Sequence, residues 1–208
     1  PTLQRQPGRV VAIVGPSGSG KSSLLNAGLL PRLTRPDSPW LVTPTMVPGR
    51  NPTAGLARSL AQAYRQLGVH REREDLEAAF DRGDHALREV VGDLLDRAGD
   101  GVVEEVILAP SERAVVDVLD RAGDRLRLLI VIDQAEELAT RTGTQERRAF
   151  VSLLRGCLDE DLPLWIVGTV RSEFLSTTPE RSGLAEAVDD PVLVEPLSPD
   201  RLPEVIEG

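Results

Sequence analysis

Gly15-Pro16-Ser17-Gly18-Ser19-Gly20-Lys21-Ser22 fits the spacing G-x-x-x-x-G-K-[ST], the Walker A pattern of a phosphate-binding loop. Gly15, Gly18 and Gly20 free the backbone to turn its amides around an anion, and a following helix presents its positive dipole end to the same place. Lys21 supplies a compact charge with rotatable donors that reaches between β- and γ-phosphates. It is the only lysine in the chain, and every other cation among the 24 Lys and Arg positions is arginine. Val10 to Val14 reads as an apolar strand directly before the loop. Ser22 to Leu30 reads as a helix directly after it, stopped by Pro31, which restricts the residue before it. Gly15, Pro16, Ser17, Gly18, Ser19, Gly20, Lys21, Ser22 and Ser23 are therefore the expected nucleotide cradle.

Further apolar runs occur at Leu41 to Val47, Leu128 to Ile132, Leu164 to Val170 and Val192 to Val194, with helix-like patterns between most of them. Short apolar strands alternating with helices predict an α/β fold with a mainly parallel sheet covered on both faces. Pro52 and Thr53 open a helix to about Leu67, which Gly68 can cap, and Thr144 to Leu158 reads as another. Ser111 suits the N-cap of a helix to Ala122. The stretch from about His70 to Pro110 is highly charged and helical in pattern, an expected insertion or helical layer beside the sheet. Leu95-Asp96-Arg97-Ala98-Gly99-Asp100 recurs as Leu119 to Asp124; two helix ends with the same glycine stop explain it without an internal repeat.

Leu128-Leu129-Ile130-Val131-Ile132-Asp133 places an acid at the end of a buried strand, where a carboxylate can support the Mg²⁺ that Ser22 also contacts. Gln134, Ala135, Glu136 and Glu137 follow. A water-positioning carboxylate is needed near the γ-phosphate, so Glu136 is the first candidate and Glu137 the second; either acid also suits the first turn of the next helix. Arg171 ends another strand on the same edge, placed to read the γ-phosphate or to pair with a neighbouring acid.

Composition narrows the rest. The chain has 208 residues, a formal charge of −9, 40% hydrophobic residues and 3% aromatics, which suits one large folded domain and argues against a nucleic-acid face. The single cysteine, Cys157, falls in an apolar helical stripe and reads as core; it forms no disulfide. His70 and His85 read as surface residues. No run approaches the ~18 apolar residues of a membrane helix, so the expected location is cytoplasmic. The start at Pro1 and the end at Gly208 suggest a piece of something longer.

Gly15 to Pro31 (GPSGSGKSSLLNAGLLP), Asp133 to Leu138 (DQAEEL) and Thr169 to Leu175 (TVRSEFL) together resemble the NTPase core of bacterial STAND proteins, of the novel-STAND group often joined to WD40 repeats. Pro48-Gly49-Arg50-Asn51-Pro52 and Pro196-Leu197-Ser198-Pro199 resemble linking motifs of the same group. The resemblance implies an ASCE/AAA-like P-loop NTPase core over 1–208, with the N-terminal base-holding segment and the C-terminal helical and winged-helix modules largely outside it. By it, Lys21 and Ser22 bind phosphate and Mg²⁺, Asp133 supports the metal, Glu136 and Glu137 match the acidic pair, and Arg171 matches the sensor arginine. It further implies ATP or ADP as ligand and a slowly hydrolysing signalling switch. The implied partners are a repeat sensor, an effector domain and a nucleotide-dependent second copy. Ala135 departs from the family, where an aromatic is common, and Val47 stands where an arginine often precedes Pro-Gly.

A non-catalytic scaffold that holds ADP or ATP and acts through partner contacts is the alternative from another class. A small-molecule kinase is a third, but no acceptor-binding motif follows the loop. No Leu-Ser-Gly-Gly-Gln signature marks an ABC transporter, and no Asn-Lys-x-Asp marks a guanine site.

Overall fold

In the computed structural model, which describes residues 10–35, 38–83, 85–98, 126–158, 162–174 and 190–193, five strands form one sheet. They are β1 (Val10–Gly15), β2 (Trp40–Val42), β3 (Arg127–Ile132), β4 (Leu164–Arg171) and β5 (Asp190–Leu193). The order is β2-β3-β4-β1-β5 and every pairing is parallel. This is the α/β P-loop NTPase architecture that the motifs predict. Because β4 lies between β1 and β3, the loop after β1 faces the acid after β3 across a crevice at the sheet's C-terminal edge.

Alternation along the strands sorts the core. Leu128, Ile130 and Ile132 of β3 join one apolar cluster, while Leu129 and Val131 join another on the opposite face. The first cluster is covered by α2 (Pro52–Gln66), α3 (Arg73–Phe80), α4 (Ala86–Ala98), α5 (Glu137–Thr140) and α6 (Thr144–Leu158). Leu76, Phe80, Leu87, Val91 and Leu94 of α3 and α4 are buried in that cluster with the sheet, so the charged stretch is a structural layer from Arg73 to Ala98, and its remainder, 99–110, lies outside the described residues. The second cluster is covered by Leu25, Leu29 and Leu33, and there Trp40 meets Trp165 edge to face at 6.1 Å.

The first helix, α1, does not stop at Leu30. It runs as α-helix Lys21–Ser23, π-helix Leu24–Leu29 and α-helix Leu30–Leu33. Leu30 keeps right-handed helical angles, φ −60° and ψ −42°, although Pro31 follows. Its N–H bonds the Leu25 carbonyl, five residues back, and the widened turn relieves the clash that a proline ring makes with an α-helical carbonyl.

The strand expected over Leu41 to Val47 is also shorter. Thr43 N–H bonds Leu129 O at 2.9 Å and Met46 N–H bonds Val131 O at 3.0 Å, so three residues of this chain match two of β3. Pro44, which has no N–H for the ladder, sits in that one-residue bulge. Pro52–Gln66 fits its expected bounds, with Asn51 as the N-cap through Ala54 N–H at 3.0 Å and Gly68 in the left-handed region at φ 72°. Cys157 is buried in the core, and His70 and His85 are exposed. The expected helix Ser111 to Ala122, the second Leu-Asp-Arg-Ala-Gly-Asp copy and Pro196 to Pro199 lie outside the described residues. Among the described residues, no helix is long and apolar enough to cross a membrane.

Candidate functional site

The loop between β1 and α1 has the backbone its glycines predict. Gly18 and Gly20 hold φ 78° and 84°, angles that cost a side-chain-bearing residue about 1–2 kcal/mol each. Pro16, Ser17 and Gly18 are exposed, whereas Ser19 and Lys21 are buried. Lys21 Nζ donates to the Pro16 carbonyl at 2.7 Å, closing the loop on itself. Ser19 Oγ is buried without a hydrogen-bond partner. A buried hydroxyl left unmet is costly, and a loop that presents one beside a cation is chemically prepared for an anion.

Ser22, at the first turn of α1, donates its hydroxyl to Asp133 Oδ1 at 2.8 Å. The bond spans 111 positions of sequence and joins the two strongest motifs. Thr169 on β4 donates to the same Oδ1 at 2.5 Å and accepts the Gln134 N–H at 2.8 Å. Gln134 N–H also reaches Asp133 Oδ1, at 3.1 Å, and takes a left-handed φ of 56°. Ala135 N–H then bonds Thr169 O at 2.9 Å. Thr169 thus fixes both the carboxylate and the turn after it. Thr169 carries no charge to announce this role; its signal in the sequence is its place one residue after the glycine of a buried strand.

Glu136 is 8% exposed, and its Oε1 pairs with Arg171 Nε at 2.9 Å. Its Oε2 is buried without a hydrogen-bond partner. Arg171 stands in register with Gly15, so this pair lies beside the start of the phosphate loop. Glu137 takes a different direction. Its Oε2 accepts the Gly49 N–H at 3.2 Å, and its Oε1 faces Arg141 Nε at 3.3 Å. Thr142 Oγ1 donates to the Gly49 carbonyl at 2.7 Å, so Gly49 is held through both its backbone groups. The structure therefore gathers Lys21, Ser22, Asp133, Glu136 and Arg171 along one edge, while the Glu137 carboxylate is spent on the Pro48 to Asn51 loop. Ser23 is exposed on α1.

Two hard oxygen donors, the Ser22 hydroxyl and the Asp133 carboxylate, fit a small divalent cation. Among the described residues no group of three or more His, Cys, Asp and Glu could hold a metal. A cation at Ser22 and Asp133 would take its other ligands from substrate phosphates and water, which is the habit of Mg²⁺.

The family model of Novel STAND NTPase 1 matches residues 2–208. Among solved structures, a Walker-type ATPase of Pyrococcus abyssi is similar at a TM-score of 0.44 and 20% identity, covering 96% of this chain and 52% of that one. This chain thus spans about half the length of that protein. No curated protein matches.

Proposed function

The chain belongs to the Novel STAND NTPase 1 family, and from that premise we propose that it is the ATP-binding, slowly ATP-hydrolysing switch module of a multidomain signal-transduction protein. The observation that carries this reading is the divided Glu136 carboxylate: one oxygen is held by Arg171 and the other is buried with no partner. A water donating to Oε2 would meet that acceptor and be oriented for in-line attack.

The phosphate loop amides and Lys21 would hold the β- and γ-phosphates, Lys21 giving up its bond to the Pro16 carbonyl. Ser22 and Asp133 would hold Mg²⁺, which when bound neutralises charge on the bridging phosphate oxygens. Arg171 is paired with Glu136, and a terminal phosphate competes for the same guanidinium with greater charge. Turning to phosphate, Arg171 would leave Glu136 to orient water; returning to Glu136, it would restore the resting pair. This exchange is the proposed switch. A repeat sensor, an effector and a second copy of the chain are the proposed partners, in the cytoplasm.

ATP turnover by the whole protein tests the reading. Lys21→Ala and Asp133→Asn should abolish it, and Glu136→Gln should lower it by about 10²–10⁴-fold while ATP still binds. Unchanged turnover in Lys21→Ala or Asp133→Asn would refute the assignment. The Glu136–Arg171 pair also favours a second reading, because a carboxylate held by a guanidinium activates water poorly. Retention of ADP with no phosphate release, and no effect of Glu136→Gln, would select a non-catalytic nucleotide-gated scaffold.

A further inference from the structure

Between β2 and α2 the chain crosses the C-terminal edge of the sheet as a wall of the crevice. Thr45 Oγ1 donates to Asn26 Oδ1 on α1 at 2.7 Å. Met46 bridges Ile132, and its carbonyl accepts the Asp133 N–H at 2.8 Å. Gly49 is gripped on one side by Glu137 at 3.2 Å and on the other by Thr142 at 2.7 Å. Asn51 closes the segment by capping α2. The wall is therefore tied to α1, to the residue after β3 and to the helix that begins at Glu137.

This bracing surrounds a residue that uses none of it. Arg50 is exposed, and among the described residues it makes no hydrogen bond or ion pair. The other cations of the edge are engaged, Lys21 with the Pro16 carbonyl and Arg171 with Glu136. The chain as a whole carries −9, so a polyanion is drawn to local cations rather than to the molecule. A guanidinium on a backbone already fixed can take a phosphate bidentately with little further ordering.

Resting on the nucleotide reading above, we propose that Arg50 is a second phosphate-reading arginine, which favours a nucleoside triphosphate over a diphosphate, and that Glu137 and Thr142 are positioning residues that hold its loop. Arg171 and Arg50 then approach the terminal phosphate from different walls. The acidic pair divides its work, Glu136 toward water and Glu137 toward the loop. The phosphate is that of the chain's own nucleotide or of a nucleotide on a second copy.

Affinities of the full chain for Mg²⁺-ADP and for a non-hydrolysable ATP analogue, measured by calorimetry, test this. Arg50→Ala should weaken the ATP analogue roughly 10- to 100-fold and ADP by less than about threefold. Arg50→Lys should recover part of the loss, and Thr142→Val should fall between wild type and Arg50→Ala. A loss seen at both low and high protein concentration assigns the chain's own nucleotide; a loss confined to high concentration assigns a second copy's. A wild-type chain that binds both nucleotides while Arg50→Ala keeps the same ratio of affinities overturns the Arg50 role and leaves the nucleotide reading standing. Wild type binding neither removes both.

Discussion

Replacing Thr169 by valine removes one hydroxyl from the centre of the candidate site and changes little else. Thr169 is 1% exposed, and valine has nearly its volume, so the substitution opens no cavity. What is lost is a bond to a carboxylate, Thr169 Oγ1 to Asp133 Oδ1 at 2.5 Å, and an acceptor for the Gln134 N–H at 2.8 Å. The N–H keeps its longer bond to Asp133 Oδ1 at 3.1 Å, so it is not orphaned, and Oδ1 keeps Ser22 at 2.8 Å. The expected loss is that of one hydrogen bond to a charged group, about 2 kcal/mol within a usual range of about 1.5–3. For a chain of this size that lowers Tm by about 4–8 °C. Trp165 lies on the same strand and packs edge to face on Trp40, so intrinsic fluorescence reports the unfolding of this part of the sheet. Thr169→Ser, which keeps the hydroxyl, should cost under about 1 kcal/mol. Thr169→Val within about 0.5 kcal/mol of wild type, or Thr169→Ser as damaging as Thr169→Val, would show that the hydroxyl does not organise this turn.

Two other outcomes follow from single contacts. The Arg97 hydrogen bond, aided by the Tyr64 phenol, holds Asp93 below the usual carboxylate range against the opposing effect of burial. A depressed folded-state pKa gives stability that is present above the unfolded carboxylate range and lost as pH falls through the folded value. Urea midpoints of wild type should therefore fall more steeply on acidification below about pH 4 than those of Asp93→Asn; parallel curves would rule the coupling out. Lys21 is the sole side-chain amine, so an ATP-directed lysine-reactive probe should mark its peptide alone and lose it to competing ATP. Labelling that ATP does not reduce would count against a nucleotide at this loop.

Much of the sheet was readable because each buried strand is a continuous apolar run, and strands covered on both faces leave that trace. β2 was overestimated because Pro44 and Thr45 look no less extended than a strand; only the pairing with β3 reveals the extra residue. The end of α1 is not legible because a residue before proline only prefers extended angles; Leu30 keeps helical ones, and the π-turn just ahead of Pro31 makes room for its ring within the helix. Site residues announced by charge and motif were legible, but their partners were not. Nothing local to Asp133 says that Thr169 will bond it from 36 positions away, and nothing local to Glu137 says that Gly49 will claim its carboxylate. Those contacts are products of topology, in which β3 has β4 on one side and β2 on the other.

The π-turn of α1 has a bearing on how that helix can be altered. Leu25, Leu29 and Leu33 repeat every four residues, and on an α-helix of 3.6 residues per turn such a row slides about 40° sideways at each step. A wider turn rotates less per residue and draws the row back, so three leucines stay aimed at one strip of sheet while Asn26 stays aimed at Thr45. The widened turn thus absorbs one residue more than an α-helix needs over the same arc. Deleting a single position between Leu24 and Leu29 would regularise the helix and leave its two ends nearly in phase, whereas adding one would turn Leu33 by about 100° relative to Leu25 and take it off the strip of sheet they share. The helix can therefore spare a residue in count, while on its exposed side Ser22 and Asn26 are held in kind by Asp133 and Thr45.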